Sequence, residues 1–358
     1  MSAVAEETLL EAAKAGGEDA FGRLLEPHRG KLHAHCYRML GSLHDAEDAL
    51  QETLLRAWRG LPKFDGRSAL GSWLYRIATN VCLNMIKRRP KRVLPIDYGS
   101  SSADPHDAAA APILESIWVE PYPDEMIATD DGLASPETAY AERESLELAF
   151  VAALQHLPGN QRAALIMSEV LGFSAREVAD ALETSTASVN SALQRARRSI
   201  DEKLPEESQQ ATLRALGDQR LTSVVGGYIE AMERADVDGV VALLCEDASW
   251  SMPPQPAWFR GRDAIGAFLD ENPFRYFRWR LVPTGANAQP AVGCYSWSDE
   301  RQAYVAHVLN VLTLRGAEIS NVVSYLDVTR RGVDDPGITS FLDGRVFERY
   351  GLANELPA

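Results

Sequence analysis

The chain has 358 residues, of which 46% are hydrophobic and 24% are charged. This composition is that of a globular protein, and at roughly 100–200 residues per domain it predicts two or three domains. No uncharged stretch reaches the roughly 18–20 apolar residues that a bilayer span needs, and the acidic N-terminal segment lacks the basic start of a secretory signal. We therefore expect a cytoplasmic protein with no membrane partner.

The four cysteines are scattered along the chain without a CxxC pair, and no HExxH motif accompanies the histidines. Neither a zinc site nor a disulfide framework is indicated by such spacing. The sequence predicts buried, reduced thiols and neither a metal site nor a cofactor.

Charge is distributed unevenly, although the net charge is −15. Residues 56–92 carry 10 Lys or Arg and one Asp, whereas residues 93–135 carry nine acids and no Lys or Arg. A basic block beside an acidic segment is typical of a nucleic-acid-binding protein whose remaining parts are acidic.

The hydrophobic spacing divides the chain into four segments. Residues 1–92 and 136–204 have helical periodicity, and residues 93–135 have the Pro, Asp, Ser and Ala composition of a linker. Residues 205–358 begin with a helical pattern and continue with β-branched and aromatic runs such as 303–314. The predicted fold is multidomain, with two all-α domains joined by a flexible linker and followed by an α+β domain.

The clearest local motif is a helix-turn-helix. Ser174 and Glu177 have the spacing of a capping box, and Ser185 is placed to cap a second helix. Small polar residues early on that helix can approach base edges, and arginines further along suit phosphates, although an ordinary αα-hairpin with a solvated basic face is the alternative. The predicted DNA-facing residues are Ser185, Ala187, Ser188, Asn190, Ser191, Gln194, Arg195 and Arg198.

The first helical segment carries two further features. A helix places Asp45, Asp48 and Glu52 on one acidic face. After it come aromatic residues among cations, a combination that stacks unpaired bases and follows the phosphate backbone, although core packing of the aromatics is the alternative. The predicted members are Lys63, Phe64, Arg67, Ser68, Trp73, Tyr75, Arg76, Asn80, Asn84, Lys87 and Arg88.

Together, residues 45–52, 64–82, 157–162 and 189–198 resemble the extracytoplasmic-function (ECF) sigma factors of bacterial RNA polymerase. The resemblance implies that Asp45, Asp48, Gln51 and Glu52 bind the clamp helices of the polymerase beta-prime subunit. It also implies that residues 63–89 melt and read the −10 promoter element, and that the second helical domain reads the −35 element and contacts the beta flap. Asn190-Ser191-Ala192 departs from the family's frequent Lys-Ser-Arg, so the family's promoter consensus is not transferred.

The last segment resembles SnoaL-like domains, which are cone-shaped α+β barrels, through residues 228–232, 247–254 and 258–268. The island at residues 118–123 resembles the linker motif of sigma factors that carry such a domain. Ligands of cone folds bind at the mouth, for which the candidates are Trp250, Trp258, Tyr276, His307 and Asp327. We expect a regulatory domain that contacts the sigma domains or the linker, with residues 350–358 as a docking tail.

Three functional classes remain to be compared. A sigma factor requires both the acidic face and the melting region, and the sequence contains both. A ligand-sensing DNA-binding regulator would leave residues 17–92 unexplained. A SnoaL-like enzyme fused to a DNA-binding module would need an acid/base pair, and Asp263, His307 and Asp327 show no paired spacing. The sequence therefore predicts a sigma factor with no catalytic residues of its own.

Overall fold

The structure is a computed structural model, which describes residues 3–109, 111–113, 117–127, 136–326 and 347–358. Contacts divide the chain into two compact units. The first unit contains residues 1–91, 126–135 and 153–203, and the second contains residues 92–125, 136–152 and 204–358. The second unit thus takes up residues 93–125 of the predicted linker and the start of the second helical segment, both of which were expected to be separate from the α+β domain.

Helices make up the first unit and the beginning of the second. None of the helices in the described ranges combines the length and hydropathy that a bilayer crossing needs. Their bounds are α1 Ala3–Lys14, α2 Glu18–Leu40, α3 Leu43–Gly60, α4 Leu70–Ile86, α5 Pro95–Tyr98, α6 Pro136–Glu144, α7 Leu148–Gln155, α8 Gly159–Leu165, α9 Ala175–Ala181 and α10 Thr186–Asp201.

Local sequence signals explain how α2 and α3 meet. Gly41 ends α2 with φ 67°, a left-handed conformation that glycine adopts without a steric penalty. Ser42 then caps α3 by accepting a hydrogen bond from the Asp45 amide at 3.1 Å. Small residues such as Ala46, Ala49 and Ala57 are buried on α3, so this helix packs closely against its neighbours.

The helix-turn-helix forms as the sequence predicted. Ser174 and Glu177 make the reciprocal hydrogen bonds of a capping box at the start of α9. Ser185 caps α10 by accepting from the Ser188 amide. The apolar face of α10 is buried as expected, and its members are Val189, Leu193, Ala196 and Ile200.

A mixed sheet and five helices form the remainder of the second unit. The described strands have the order β2-β1-β6-β5-β4-β3, with β7 paired to β5, and β1 and β6 are the parallel pair. Helices α12 and α14 cover one face, around a core that includes Tyr228, Trp250, Phe259 and Phe268. The bounds are α11 Gln209–Leu216, α12 Asp218–Glu233, α13 Val237–Ala242, β1 Leu244–Ser251, β2 Trp258–Arg260, α14 Arg262–Glu271, α15 Pro273–Tyr276, β3 Trp279–Ala286, β4 Gln289–Ser298, β5 Ala303–Arg315, β6 Glu318–Leu326 and β7 Glu355–Leu356.

Composition predicted a flexible linker, but its described residues up to 125 lie along the α+β domain of residues 205–358, called the cone domain below. Trp118 and Tyr122 are fully buried. Ser102 forms an isolated β-bridge with Phe259 on β2, and Pro123 forms an isolated β-bridge with Ala286 on β3. Composition favours disorder only where apolar anchors are lacking, and here the aromatic side chains supply them.

The C-terminal residues also lie on the cone domain. Phe347, Tyr350 and Leu352 are buried, and β7 extends the sheet beyond β5. Leu352 lies so close to Gly293 on β4 that a side chain at Gly293 would collide with it. The Tyr350 hydroxyl donates to the Pro121 carbonyl at 3.1 Å, so the tail contacts the linker as well.

The four cysteines were predicted to be buried, reduced thiols. The structure places all four in buried positions without a disulfide, namely Cys36, Cys82, Cys245 and Cys294. Burial raises the pKa of the Cys82 and Cys294 thiols, which keeps both neutral. Within the described parts of the chain, no group of His, Cys, Asp and Glu side chains has a metal-binding arrangement.

Candidate nucleic-acid interface

The acidic face on α3 is smaller than the sequence indicated. Asp48 and Gln51 are exposed and Glu52 is half-buried, but Asp45 is only 2% exposed. The Asp45 carboxylate forms an ion pair with Arg89, which also approaches Asp48 at 3.7 Å. Asp45 was expected to be available to a partner and instead holds the end of the basic stretch against α3.

Leu55 completes this face and was missed by the sequence analysis. Its side chain is 51% exposed, and it follows Gln51 and Glu52 by one helical turn. Leu55 lies three residues after Glu52 and four after Gln51, and this spacing was the available signal. One leucine on a polar helix face, however, forms no periodic pattern. An exposed apolar side chain beside polar residues such as Gln51 and Glu52 is suited to a protein partner.

The basic and aromatic stretch separates into exposed and packed residues. Phe64 is 8% exposed and packs against Trp73 with ring centroids 5.1 Å apart, so its ring is not open to a base in this structure. Tyr75 is half-buried between the rings of His35 and Phe173. Trp73 and Asn80 are also half-buried, and the exposed members are Lys63, Arg67, Ser68, Arg76, Asn84, Lys87 and Arg88.

Helix α4, which carries half of that stretch, packs against the helix-turn-helix domain inside the first unit. The Tyr75 and Phe173 ring centroids are 5.8 Å apart. At Gly159 on α8 a Cβ atom would lie 3.1 Å from Leu83, so the two helices are in close contact. One side of the expected −10 surface is therefore covered by the domain that carries the expected −35 surface.

Arg162 holds the same two domains together from a buried position. Its guanidinium donates to the carbonyls of Met39, Gln155 and Leu157, and burial lowers its pKa to about 10. The Gln155 amide donates to the Arg38 carbonyl at 3.2 Å. Arg38 and Met39 lie in the last turn of α2, whose carbonyls have no partner within their own helix, so α7 and α8 cap α2 from another domain.

The outer face of α10 is open to solvent. Every residue that the sequence analysis placed toward DNA is exposed, from Ser185 at the cap to Arg198 near the end. Arg197, on the flank, instead pairs with Glu169 through its Nε at 2.6 Å. Within the described first unit, α10 thus presents a polar N-terminal half and a basic C-terminal half on one accessible face.

The candidate residues of the cone cavity fall in different places. Trp250, Tyr276 and His307 line an apolar cavity of about 270 Å³. Trp258 does not line it, because its indole nitrogen donates to the linker carbonyl of Gly99 at 2.8 Å. Asp327 lies outside the described residues. Asp263 is exposed on α14 and away from the cavity, so the described residues bring no pair of acid/base candidates together.

Comparison with known protein families assigns the helical domains. Residues 24–92 match the family described as Sigma-70 region 2, and residues 147–200 match Sigma-70, region 4. Residues 225–322 match the SnoaL-like domain. These matches define a sigma-70-type chain with a fused SnoaL-like domain.

Similar full-length proteins show which group of sigma factors the chain belongs to. The chain is 42% identical to the ECF RNA polymerase sigma factor SigG of Mycobacterium tuberculosis over 331 residues, which covers 92% of this chain and 87% of the relative. It is 29% identical to the RNA polymerase sigma-H factor of Pseudomonas aeruginosa over 199 residues, 56% of this chain and 93% of the relative. The chain therefore belongs to the ECF RNA polymerase sigma factors and has the role of an alternative sigma factor.

A solved structure supports the fold. The crystal structure of the ECF sigma factor SigJ of Mycobacterium tuberculosis has a TM-score of 0.53 and 20% identity, covering 85% of this chain and 95% of that chain. At this identity the likeness concerns the architecture alone. It agrees with the predicted fold class, namely two helical sigma domains followed by an α+β SnoaL-like domain.

Proposed function

We propose that this sigma factor is restrained in the structure described here and must open to engage a promoter. The −10 and −35 elements are about 25 base pairs apart, which is about 85 Å along B-form DNA. The expected reading surfaces, on α4 and α10, belong instead to one compact unit with direct contacts between their domains. Both elements can be bound at once only after regions 2 and 4 separate.

The linker would have to extend during that separation, and the cone domain holds it by specific contacts. The Ser102 amide donates to the Trp258 carbonyl at 2.8 Å, and the Ile113 amide donates to the Pro254 carbonyl at 2.9 Å. The Asp124 carboxylate accepts from the Ala288 amide at 2.7 Å. The described linker residues between 99 and 124 are held at several points, and a segment held in this way is not a free tether. We infer that the SnoaL-like domain limits promoter engagement by retaining this part of the linker.

The start of region 4 is retained in the same way. Glu147, between α6 and α7, accepts hydrogen bonds from the amides of Gln209 and Gln210 at 3.0 and 2.7 Å. The Leu148 amide donates to the side chain of Gln289 on β4 at 2.8 Å. These contacts support a role for the cone domain as a clamp on both ends of the segment that joins regions 2 and 4.

We propose partner surfaces from the family resemblance, using the residues that are exposed or half-buried in this structure. We assign the face formed by Asp48, Gln51, Glu52 and Leu55 to the beta-prime clamp helices, and region 4 to the beta flap. The exposed cations between Lys63 and Arg88 are assigned to the −10 element, and the outer face of α10 to the −35 element. The chain then supplies promoter choice and strand separation, while the polymerase performs the chemistry.

The observation that carries this proposal is the contact between α4 and the helix-turn-helix domain. The distance between regions 2 and 4 can be followed by energy transfer. Arg59 on α3 and Arg176 on α9 are exposed, and the native cysteines are buried, so R59C and R176C accept a dye pair selectively. Energy transfer in the full-length chain should be high alone and fall when core polymerase and a promoter selected by run-off transcription are added. Unchanged transfer in a complex that makes specific transcripts would contradict opening.

A further inference from the structure

The cone domain contains an apolar cavity of about 270 Å³. Its walls include Phe268 from α14, Met252 after β1, and Trp250, Trp279 and Val308 from the sheet. This volume is close to the lower limit of about 300 Å³ for pockets that bind small molecules. The site is therefore sized for a ligand of one or two fused rings.

The residues that line the cavity disfavour a charged ligand. None of the described lining residues is Asp, Glu, Lys or Arg, and the Cys294 thiol is kept neutral because burial raises its pKa. A charged ligand would lose its hydration without gaining a counter-charge from these residues. An uncharged ligand is expected.

One buried polar atom in the lining, Asn310 Oδ1, lacks a hydrogen-bond donor among the described residues. Asn310, on β5, is 2% exposed, and its amide nitrogen donates to the Tyr228 hydroxyl at 2.9 Å and to Cys294 Sγ at 3.3 Å. These bonds orient the amide, and its Oδ1 is buried and accepts no hydrogen bond from the described residues. A buried acceptor without a partner costs free energy, which a ligand hydroxyl would recover.

Aromatic rings surround the opening. His307 stacks on Trp279 with ring centroids 5.4 Å apart and an interplanar angle of 26°, and Phe277 meets His307 edge-on at 4.8 Å. Tyr276 is 69% exposed at the same side. Ring faces and edges in this arrangement favour an aromatic ligand.

The linker forms part of the wall. Ala108 and Ala109 belong to a short 3₁₀ helix, Pro105–Ala109, and both line the cavity. Asn272, next to α15, donates its side-chain amide to the Pro105 carbonyl at 2.8 Å and fixes this turn over the cavity. A ligand in the cavity would thus touch the linker directly.

We propose that this cavity binds a small, uncharged aromatic molecule with a hydroxyl group, and that such a molecule strengthens the hold of the cone domain on the linker. The hydroxyl donates to Asn310 Oδ1, and the ring lies between the aromatic wall and Ala108. Because ligand and docked linker share contacts, each stabilises the other. The regulatory consequence rests on the proposed restraint of the linker, whereas the binding site itself does not.

The probe for this site is 2-naphthol, titrated into the full-length protein while tryptophan fluorescence is followed. Saturable binding is expected, with naphthalene and 2-naphthoate each binding at least tenfold more weakly. Absence of saturation up to the solubility limit of 2-naphthol would overturn the proposal. In N310L the preference for 2-naphthol over naphthalene should disappear, and a retained preference would overturn the role of Asn310.

Two variants on the same linker turn separate the cavity from the surface. Ala109 is exposed and lines the cavity, whereas His106 is exposed on the same turn and does not line it. A109W should weaken binding at least tenfold, and H106W should leave the dissociation constant within twofold of wild type. Equal binding by both variants would place the ligand elsewhere and overturn the site.

Hydrogen exchange tests the coupling. With 2-naphthol bound, amides in residues 99–109 should exchange at least fivefold more slowly, and unchanged exchange in a saturated sample would overturn the coupling. These measurements need no polymerase. They therefore fail or succeed independently of the energy-transfer experiment that tests the restraint.

Discussion

Asn287 and Tyr122 exchange two hydrogen bonds: the Asn287 amide donates to the Tyr122 carbonyl at 2.7 Å, and the Tyr122 amide donates to the Asn287 side-chain oxygen at 2.9 Å. The Asn287 side-chain nitrogen also donates to the Leu146 carbonyl at 2.8 Å. Asn287 has φ 57° in the tight turn between β3 and β4, a conformation that asparagine tolerates well. One buried side chain thus joins the hairpin to the linker and to the segment that precedes α7.

Replacing Asn287 with glycine should release the linker without disturbing the turn, because glycine also accepts a positive φ. Each lost hydrogen bond leaves a buried partner unsatisfied, at about 1–3 kcal/mol. We expect N287G to speed hydrogen exchange in residues 117–125 and to increase run-off transcription. The matched control is A288G, since Ala288 has φ 55° in the same turn and keeps its backbone contacts. Slower exchange or lower transcription in N287G alone would contradict the proposed restraint.

Arg162 should control the contact between regions 2 and 4. In R162M the carbonyls at the end of α2 lose a buried donor, and we expect the free energy of unfolding of the first unit to fall by about 2–4 kcal/mol. Energy transfer between labels on α3 and α9 should fall in the free protein. R176M is the control, since Arg176 is exposed. Equal stability of the two variants in urea titrations would show that the Arg162 contacts contribute little.

Local signals were sufficient for the helix-turn-helix. Ser174, Glu177 and Ser185 act on amides within one helical turn, and the inward residues of α10 follow a 3.6-residue period. Both features are complete within about 25 residues of sequence. Their geometry therefore does not depend on how the rest of the chain folds.

Contacts between distant residues were not predictable. Arg162 reaches Met39, which is 123 residues away, and Tyr122 reaches Asn287, which is 165 residues away. Phe64 among cations has the pattern of a base-stacking residue, and its burial is decided by Trp73 from the next helix. Asp45 likewise belongs to the acidic face by spacing and leaves it through Arg89, 44 residues later. Periodicity reports which face a residue occupies but not which partner covers that face.

The exposed leucine on α3 should strengthen polymerase binding. L55D places a charge where an apolar contact is proposed, and we expect core-enzyme affinity to fall about tenfold, or about 1.4 kcal/mol. Leu55 is half-exposed, so the fold should be unaffected. L55M keeps the apolar contact and should bind as wild type does. An affinity for core polymerase that is the same in all three proteins would place the interface elsewhere.

The two halves of α10 should contribute differently to DNA binding. R198A removes a proposed phosphate contact, so holoenzyme affinity should fall for all promoters and the slope of log K against log salt should decrease by about one. N190A removes a side chain near the base edges and should reduce discrimination among −35 sequences by about 1–3 kcal/mol. Competition binding on a randomised −35 library distinguishes the two effects. A sequence-selective loss in R198A would reverse the assignment.

The hold on the linker and on the start of region 4 should depend on pH. Burial raises the pKa of Asp124 to about 6 and that of Glu147 to about 7, although both accept backbone hydrogen bonds. Because these pKa values lie above those of the free carboxyls, the docked state binds more protons than the released state. The stabilisation is therefore complete below about pH 4 and is lost as the pH rises through 6 and 7.

Between pH 5.5 and pH 7.5 we expect the free energy of unfolding of the second unit to decrease by about 2 kcal/mol from these two groups. Calorimetry of the full-length chain at both pH values measures the change. The double variant D124N and E147Q keeps the shapes of both side chains and removes their titration, so its transition should shift less between the two pH values. An identical shift in the double variant and the wild type would assign the pH dependence to other groups.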